Sequence, residues 1–410
     1  MRKSLATLLA LFVLIVPLLA ACGGAAATPT AVPTAAPTVA ATTEAATEAP
    51  TEAATEAPAA TEAATEAATE APTEAATTDS PKPRIALVTD LGKVNDGTFN
   101  QFAYEGAKKA ADEFGLEFDF IETQASSDYE KNIQTFVDEK YDVIVTVGFL
   151  IADATKAAAA AHPEITFIGV DQYYDAGQVT DNLVGLQFRE DQSGFLAGAL
   201  AGMMTQSDTI GVVGGVDIPP VKKFVNAYEN GAKYVKPDIN VLSVYNQSFT
   251  DPAKGSADAE QMIGEGADVI FGAGGPTGSG GIKAAAEKGV YVIGVDQDEY
   301  GTTFGGGSAT GSDKILTSAI KRVDVAVYDQ IKAVVEGTFK GNGIAVYEAA
   351  NDGVGFAPFH GADAAIPDAV KARIDEIQKA LADGSLTTGV DPVSGDVDAA
   401  TVPEAKPYTP

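Results

Sequence analysis

The chain has 410 residues but a single cysteine, two histidines and no tryptophan. One cysteine leaves no partner for an intramolecular disulfide. Two histidines, His162 and His360, supply a zinc site or a histidine-dependent triad poorly. Positive charge is also scarce: 27 Lys and Arg stand against 57 Asp and Glu, a formal net charge of −30. That excess disfavours nucleic acid and anionic lipid as partners. No metal and no cofactor are expected. The apolar run from Leu5 to Leu19 is short for a stable membrane-spanning helix.

Arg2 and Lys3 precede that run, and Leu19-Ala20-Ala21-Cys22 follows it, in the layout of a signal peptide over 1–22. The last four residues resemble the bacterial lipobox. The resemblance implies thioether lipidation of Cys22, cleavage before it and an acylated N-terminus. An ordinary secretory signal with a chance cysteine is the alternative. Several acyl chains would anchor the protein durably on the extracytoplasmic face of the cell membrane. Residues 23–83 follow, rich in Ala, Thr, Pro and repeated Thr-Glu-Ala. Without bulky apolar residues such a stretch cannot offset its ordering entropy, so it is expected to be a tether. As a flexible coil it would reach roughly 40 Å. Its threonines permit O-glycosylation. Residues 384–410, polar with several prolines, are expected to form a loose tail.

What remains is long for one core and natural for two. Ile-Gly-Val-Asp-Gln occurs twice, at Ile168–Gln172 and Ile293–Gln297. Each copy closes a similar unit, 29 residues from Asp142 to Asp171 and 28 from Asp268 to Asp296. A short apolar strand, a Gly-containing turn, an Ala-rich helix and a second strand make a βαβ unit. Similar strands at Ile85–Thr89, Thr209–Val213 and Asn240–Val244 alternate with helical patterns, including a long one over Asp313–Glu336. The class is therefore α/β with doubly wound parallel sheets. Residues 84–191 and about 297–340 are assigned to lobe 1, and 192–296 with about 341–383 to lobe 2. This is the bilobed plan of periplasmic binding proteins. In open parallel sheets ligands sit beyond the carboxyl ends of the strands.

Several residues stand at such ends. Asp90 closes the first strand, and Phe99 and Asn100 open the next helix. They could face a ligand, or Asn95 or Asp96 could cap that helix and Phe99 could be core. Asp171 and Asp296 end the repeated strands. Either they cap the following loops or they accept hydrogen bonds from a neutral polyhydroxyl or heterocyclic ligand. Gly272 to Gly278 lies between strand and helix but fails the dinucleotide fingerprint, having Thr277 at its sixth position. Gly274 and Gly275 then either let backbone approach a small ligand or form a plain turn. Phe224 is a core residue by default. Lys321 and Arg322, on the long helical pattern, read as solvated charge.

A family resemblance rests on many ordered segments. Among them are Thr98-Phe99-Asn100-Gln101 with Tyr104-Glu105-Gly106, Phe188-Arg189-Glu190 and Gly214-Gly215-Val216-Asp217-Ile218-Pro219. Asp251-Pro252-Ala253-Lys254-Gly255 and Thr317-Ser318-Ala319-Ile320-Lys321-Arg322 belong with them. Together they resemble the basic membrane protein family of ABC-transporter lipoproteins over roughly 84–360. Its best understood members are purine nucleoside receptors of the type I bilobed fold. The resemblance implies that Phe99 and Phe224 sandwich a base from opposite lobes and that Asp171 bonds the base edge. It implies that Asp296 and Lys321 hold ribose hydroxyls, with Asp90, Asn100, Gly274 and Gly275 nearby. Many relatives carry Asp-Asp-Lys-Ser where this chain has Asn95-Asp96-Gly97-Thr98, which bears on base preference.

The expected protein is thus a monomeric, lipid-anchored solute receptor without catalysis, delivering a nucleoside to ABC permease and ATPase subunits. A sugar or another small heterocycle is the nearest rival ligand. A sensor domain and a nucleoside hydrolase are rivals of other classes. A metal-dependent hydrolase would want a tight Asp cluster, whereas these Asp residues are dispersed among strand ends.

Overall fold

The computed structural model describes residues 82–409. The expected signal peptide, Cys22 and all but the end of the expected tether lie outside the described residues.

Apolar runs rich in Val and Ile form two six-stranded sheets. The first holds β1 (Ile85–Leu91), β2 (Phe118–Thr123), β3 (Val143–Val147), β4 (Thr166–Val170), β5 (Leu183–Phe188) and β11 (Gly343–Tyr347). Their order is β11-β5-β4-β3-β1-β2, all parallel. The second holds β6 (Thr209–Gly214), β7 (Asn240–Tyr245), β8 (Val269–Ala273), β9 (Tyr291–Asp296), β10 (Ile315–Lys321) and β12 (Val354–Phe356). Their order is β12-β10-β9-β8-β6-β7, and only the short β12 runs antiparallel. Central strands such as β3 and β8 are buried along their whole length, because helices cover both faces.

On the first sheet, α1 (Phe99–Phe114) and α8 (Val323–Val335) cover one face, and α2 (Tyr129–Asp138) and α3 (Ala152–Ala161) the other. On the second, α4 (Glu190–Met204), α5 (Pro219–Val235) and α9 (Asp368–Ala382) lie opposite α6 (Pro252–Gly264) and α7 (Gly275–Glu287). Both sheets share the doubly wound order second-first-third-fourth-fifth. Their switch points therefore fall at β1 and β6, and the crevice beyond those strands is the natural ligand position.

The chain passes between lobes at 188–190, 321–323 and 347–354. The first two passages are copies of each other. Arg189 clamps Asp191 through Nε and Nη2, both at 2.8 Å, and Arg322 clamps Asp324 in the same way at 2.9 Å. Such bidentate pairs fix geometry as well as charge.

Three expectations are corrected. The helical pattern over Asp313–Glu336 is a strand and a helix: Lys321 ends β10, and α8 begins at Val323. The buried run of β10 passes into the helix through Arg322 alone, without Gly or Pro to mark the break. Residues 297–321, placed in lobe 1, contribute β10 to the second sheet, while β11 at Gly343–Tyr347, placed in lobe 2, joins the first. Residues 384–409 are not a loose tail. Val390 is buried and bridges Val397, and Leu386 and Tyr408 pack on the second core. Lys406 and Tyr408 donate backbone N–H bonds of 2.8 Å to Tyr234 and Val235 carbonyls at the end of α5. Helix ends leave such carbonyls without intrahelical partners, and the passing chain satisfies them.

Candidate functional site

A cleft of about 590 Å³, part of it open to solvent, lies between the carboxyl edges of the two sheets. Asp90, Phe99, Asn100, Asp171, Phe224, Gly274, Gly275, Asp296 and Lys321 all line it. The fold thus brings every candidate residue together, from both lobes. It also adds Asp96, Phe149, Phe249, Pro220 and Val221, which sequence reasoning did not select.

The α1 entrance is built by Asp96. Its carboxylate accepts N–H bonds from Thr98, Asn100 and Gln101, at 2.9, 3.1 and 3.1 Å, as a helix cap does. Asn100 donates to Asp96 Oδ2 at 3.0 Å and accepts from the Asp90 amide at 3.1 Å. Asp90 Oδ1 accepts from Leu91 N at 2.7 Å and from the Tyr129 hydroxyl. Asp90 and Asn100 therefore form a braced floor whose polar atoms are largely engaged. Gly148 follows β3 at φ +104°, and a Cβ there would stand 2.2 Å from Asp90 Oδ2. Opposite, a Cβ on Gly274 would stand 2.4 Å from Gly215 N, so that turn has room only for backbone.

Asp171 and Asp296 both take left-handed backbone, at φ +61° and +65°, just beyond or at the end of their strands. Left-handed geometry is uncommon outside glycine, though Asp adopts it more readily than most. Here it ends the strand and turns the carboxylate to the sheet edge. Asp171 Oδ2 lies 2.6 Å from Lys321 Nζ, and its Oδ1 is buried without a hydrogen-bond partner. Lys321 also lies 2.9 Å from Glu190 Oε1, whose Oε2 is 2.5 Å from Lys223. Lys223 in turn donates to the Phe188 carbonyl at 2.8 Å. This buried chain of charges links both lobes at the first interlobe passage.

Burial pushes Asp171 up to about 6, with Lys321 opposing and Glu190 adding to the shift. Burial pushes Asp296 further, to about 7, with Lys321 again opposing. Burial works against the charge of Lys321 too, but Asp171, Glu190 and Asp296 outweigh it and hold the ammonium above its ordinary range. Asp296 makes no salt bridge among the described residues and is 6 % exposed, so its carboxylate is offered to the cavity.

The two rings differ in setting. Phe99 is half-buried, with Lys321 Nζ 4.8 Å from its centroid. Phe224 is 4 % exposed and packs edge-on against Phe271 at 6.0 Å. A repeat with no strand or turn signature connects them. Phe99 and Phe224 each stand seven residues before Gly-Ala-Lys, at Gly106-Ala107-Lys108 and Gly231-Ala232-Lys233. A Cβ on Gly106 would lie 2.3 Å from Asp324 O, and one on Gly231 would lie 2.0 Å from Phe195 O. In each lobe that glycine lets the ring-bearing helix touch the helix arriving from the other lobe. Two side chains of lobe 2 also bond across to lobe 1: Gln297 Nε2 donates to Thr98 O at 3.1 Å, and Thr302 Oγ1 donates to Gly97 O at 2.8 Å.

Known proteins are similar to this chain in sequence and in shape. A family model described as "ABC transporter substrate-binding protein PnrA-like" matches residues 82–385. The "ABC transporter nucleoside-binding protein BmpA" of Lactococcus lactis subsp. cremoris is 34 % identical over 319 residues, covering 74 % of this chain and 88 % of that protein. A protein of Pyrococcus abyssi named as a lipoprotein is 35 % identical over 296 residues, covering 68 % of this chain and 70 % of its own. Among solved structures, an ABC transporter system solute-binding protein from Aeropyrum pernix K1 superposes with a TM-score of 0.65 at 27 % identity. It covers 74 % of this chain and 92 % of that one. Among the described residues no helix is long and apolar enough to cross a membrane.

Proposed function

The chain belongs to the family of PnrA-like ABC transporter substrate-binding proteins, and on that premise we propose that it binds a purine nucleoside between its lobes and hands it to a permease. The observation that carries the reading is one cavity walled by Phe99 from one lobe and Phe224 from the other. A base held between two rings gains about 1–3 kcal/mol of stacking per ring, judged by alanine substitution. It gains both only when the lobes are shut. The ligand then stabilises the closed form over the open one, and that difference is what a permease can read.

The polar groups have complementary tasks in this proposal. Asp171, already held by Lys321, accepts an N–H from the base edge with its free Oδ1. Asp296 accepts ribose hydroxyls and Lys321 donates to them. Asp90, Asn100 and Asp96 keep Phe99 in place, and the Gly274–Gly275 turn lets backbone reach the ligand. Four carboxylates against one ammonium favour a neutral guest over a phosphorylated one. Outside the described residues, Cys22 carries the lipid and residues 23–81 the tether, so a monomeric receptor works at the outer face of the membrane. No step in this scheme breaks a covalent bond.

The test is mass spectrometry of small molecules released when the purified protein is denatured. A nucleoside mass at near-stoichiometric yield supports the reading. A hexose or pentose in its place moves the protein to sugar transport.

A further inference from the structure

The family match ends at residue 385, yet the ordered chain continues to 409. This last segment lies along α5 of lobe 2. Asn230 Nδ2 donates to Thr388 O at 2.9 Å, Asn226 Nδ2 donates to Gly395 O at 2.7 Å, and Lys222 pairs with Asp396. Between these moorings it makes a tight hairpin. Val390 bridges Val397, and Asp391 N donates to Asp396 O at 2.8 Å. Asp391 Oδ1 accepts N–H bonds from Val393 and Ser394, at 2.9 and 2.7 Å, so the tip is rigid.

The tip points at the other lobe. Gln187 Nε2, on β5 of lobe 1, donates to Pro392 O at 2.8 Å. Thr388 Oγ1 donates to Asp191 at 2.6 Å, on the carboxylate that Arg189 clamps at the interlobe passage. Val393 walls a small side recess that is partly open to solvent. The rest of its wall includes Phe149, Tyr173 and Gln187 from lobe 1 and Pro219, Pro220 and Lys223 from lobe 2. Phe149, Asp171 and Pro220 also line the main cavity, so the recess adjoins it. Parting the lobes would pull Gln187 and Phe149 away from a hairpin rooted in lobe 2.

We propose that the C-terminal hairpin 390–397 is a clasp that holds the lobes in the closed arrangement and slows release of the bound solute. It adds to the interlobe bonds that Gln297 and Thr302 make to Thr98 and Gly97. The clasp lies beyond the residues that the family model matches.

Two full-length variants test it. Among the described residues, Gln187→Ala removes the single side-chain hydrogen bond from lobe 1 to the hairpin. Asp391→Ala loosens the tip without touching lobe 1. One net hydrogen bond corresponds to about a three- to tenfold change. Both variants should release inosine about three- to tenfold faster in stopped-flow displacement. Their ligand-free radius of gyration should exceed that of the parent in small-angle scattering. Unchanged release rate and unchanged radius in both variants would overturn the clasp. Should the parent bind no nucleoside, the proposed ligand fails, and the scattering comparison alone decides: larger variants support the clasp and identical ones sink it.

Discussion

Ile-Gly-Val-Asp-Gln closes β4 in one lobe and β9 in the other, and its two copies are used differently. In lobe 1, Gln172 stays home: its Nε2 donates to Thr146 Oγ1 and Gly148 O, both at 3.1 Å, and Tyr174 donates to its Oε1 at 2.6 Å. In lobe 2, Gln297 reaches across to Thr98 of lobe 1. Asp171 is held by a buried ammonium, while Asp296, with the same left-handed backbone, has no such partner. Identical strand ends therefore yield one anchored carboxylate and one free to meet a guest. The difference lies in what the rest of the chain brings to each edge, above all Lys321. One residue past Ile320, which pairs with Asp296 in the sheet register, Lys321 aims its ammonium at Asp171 in the other lobe.

The contrast can be broken most forcefully at Lys321. Lys321→Met leaves Asp171 without its salt-bridge partner and Glu190 with only Lys223. Removing one partner of a buried pair costs about 3–5 kcal/mol. Urea unfolding should show a loss of that order, and a loss below about 1 kcal/mol would mean that the charges are not coupled.

The two rings sharpen the comparison. Phe99→Ala and Phe224→Ala should each weaken nucleoside binding by about 1–3 kcal/mol in calorimetry. Only Phe224→Ala should also destabilise the fold by about 3–5 kcal/mol, because that ring is part of the second core. Equal stability of the two variants would contradict their different burial.

The carboxylates come next. Asp296→Asn should lower affinity by about 1.5–3 kcal/mol, the worth of hydrogen bonds to a charged acceptor, while the melting temperature holds or rises. Asp171→Asn should lower the melting temperature, since Lys321 loses its nearest counter-charge. Reversed stability effects would mean that the two Asp residues have been assigned the wrong way round.

The smallest effect is a pH slope. Burial raises Asp296 to about 7 and Asp171 to about 6 in the folded protein, above the ordinary carboxylate value of 3.8. Their stabilising contribution is complete below the unfolded value and is lost as pH rises through the folded values. Ligand-free stability from these groups should therefore fall between about pH 4 and 7. Affinity should move the opposite way, rising as Asp296 ionises and levelling above about pH 7. Asp296→Asn should flatten the affinity profile, and a profile unchanged by that substitution would remove Asp296 from the binding step.

Much of this was legible in the sequence for physical reasons. Unalternated Val and Ile runs declare strands covered on both faces, and a repeated strand end declares two lobes with Asp171 and Asp296 at equivalent edges. Phe99 and Phe224 were less legible. Pattern alone reads both as core, and for Phe224 that is half true. The Phe-to-Gly-Ala-Lys spacing would have paired them. Lys321 was placed on a helix because nothing interrupts the passage from β10 to α8. The C-terminal hairpin was illegible because its partners, Gln187, Asn226 and Asn230, lie more than 150 residues away and follow no local period.

The central claim is that the two lobes grip one uncharged nucleoside between rings of opposite origin. Calorimetric titration with inosine, guanosine and adenosine, beside ribose and galactose, addresses it most directly. The account predicts saturable one-to-one binding of at least one purine nucleoside at micromolar or tighter affinity, and none of the free sugars. Binding of ribose or galactose with silence toward every nucleoside would contradict it.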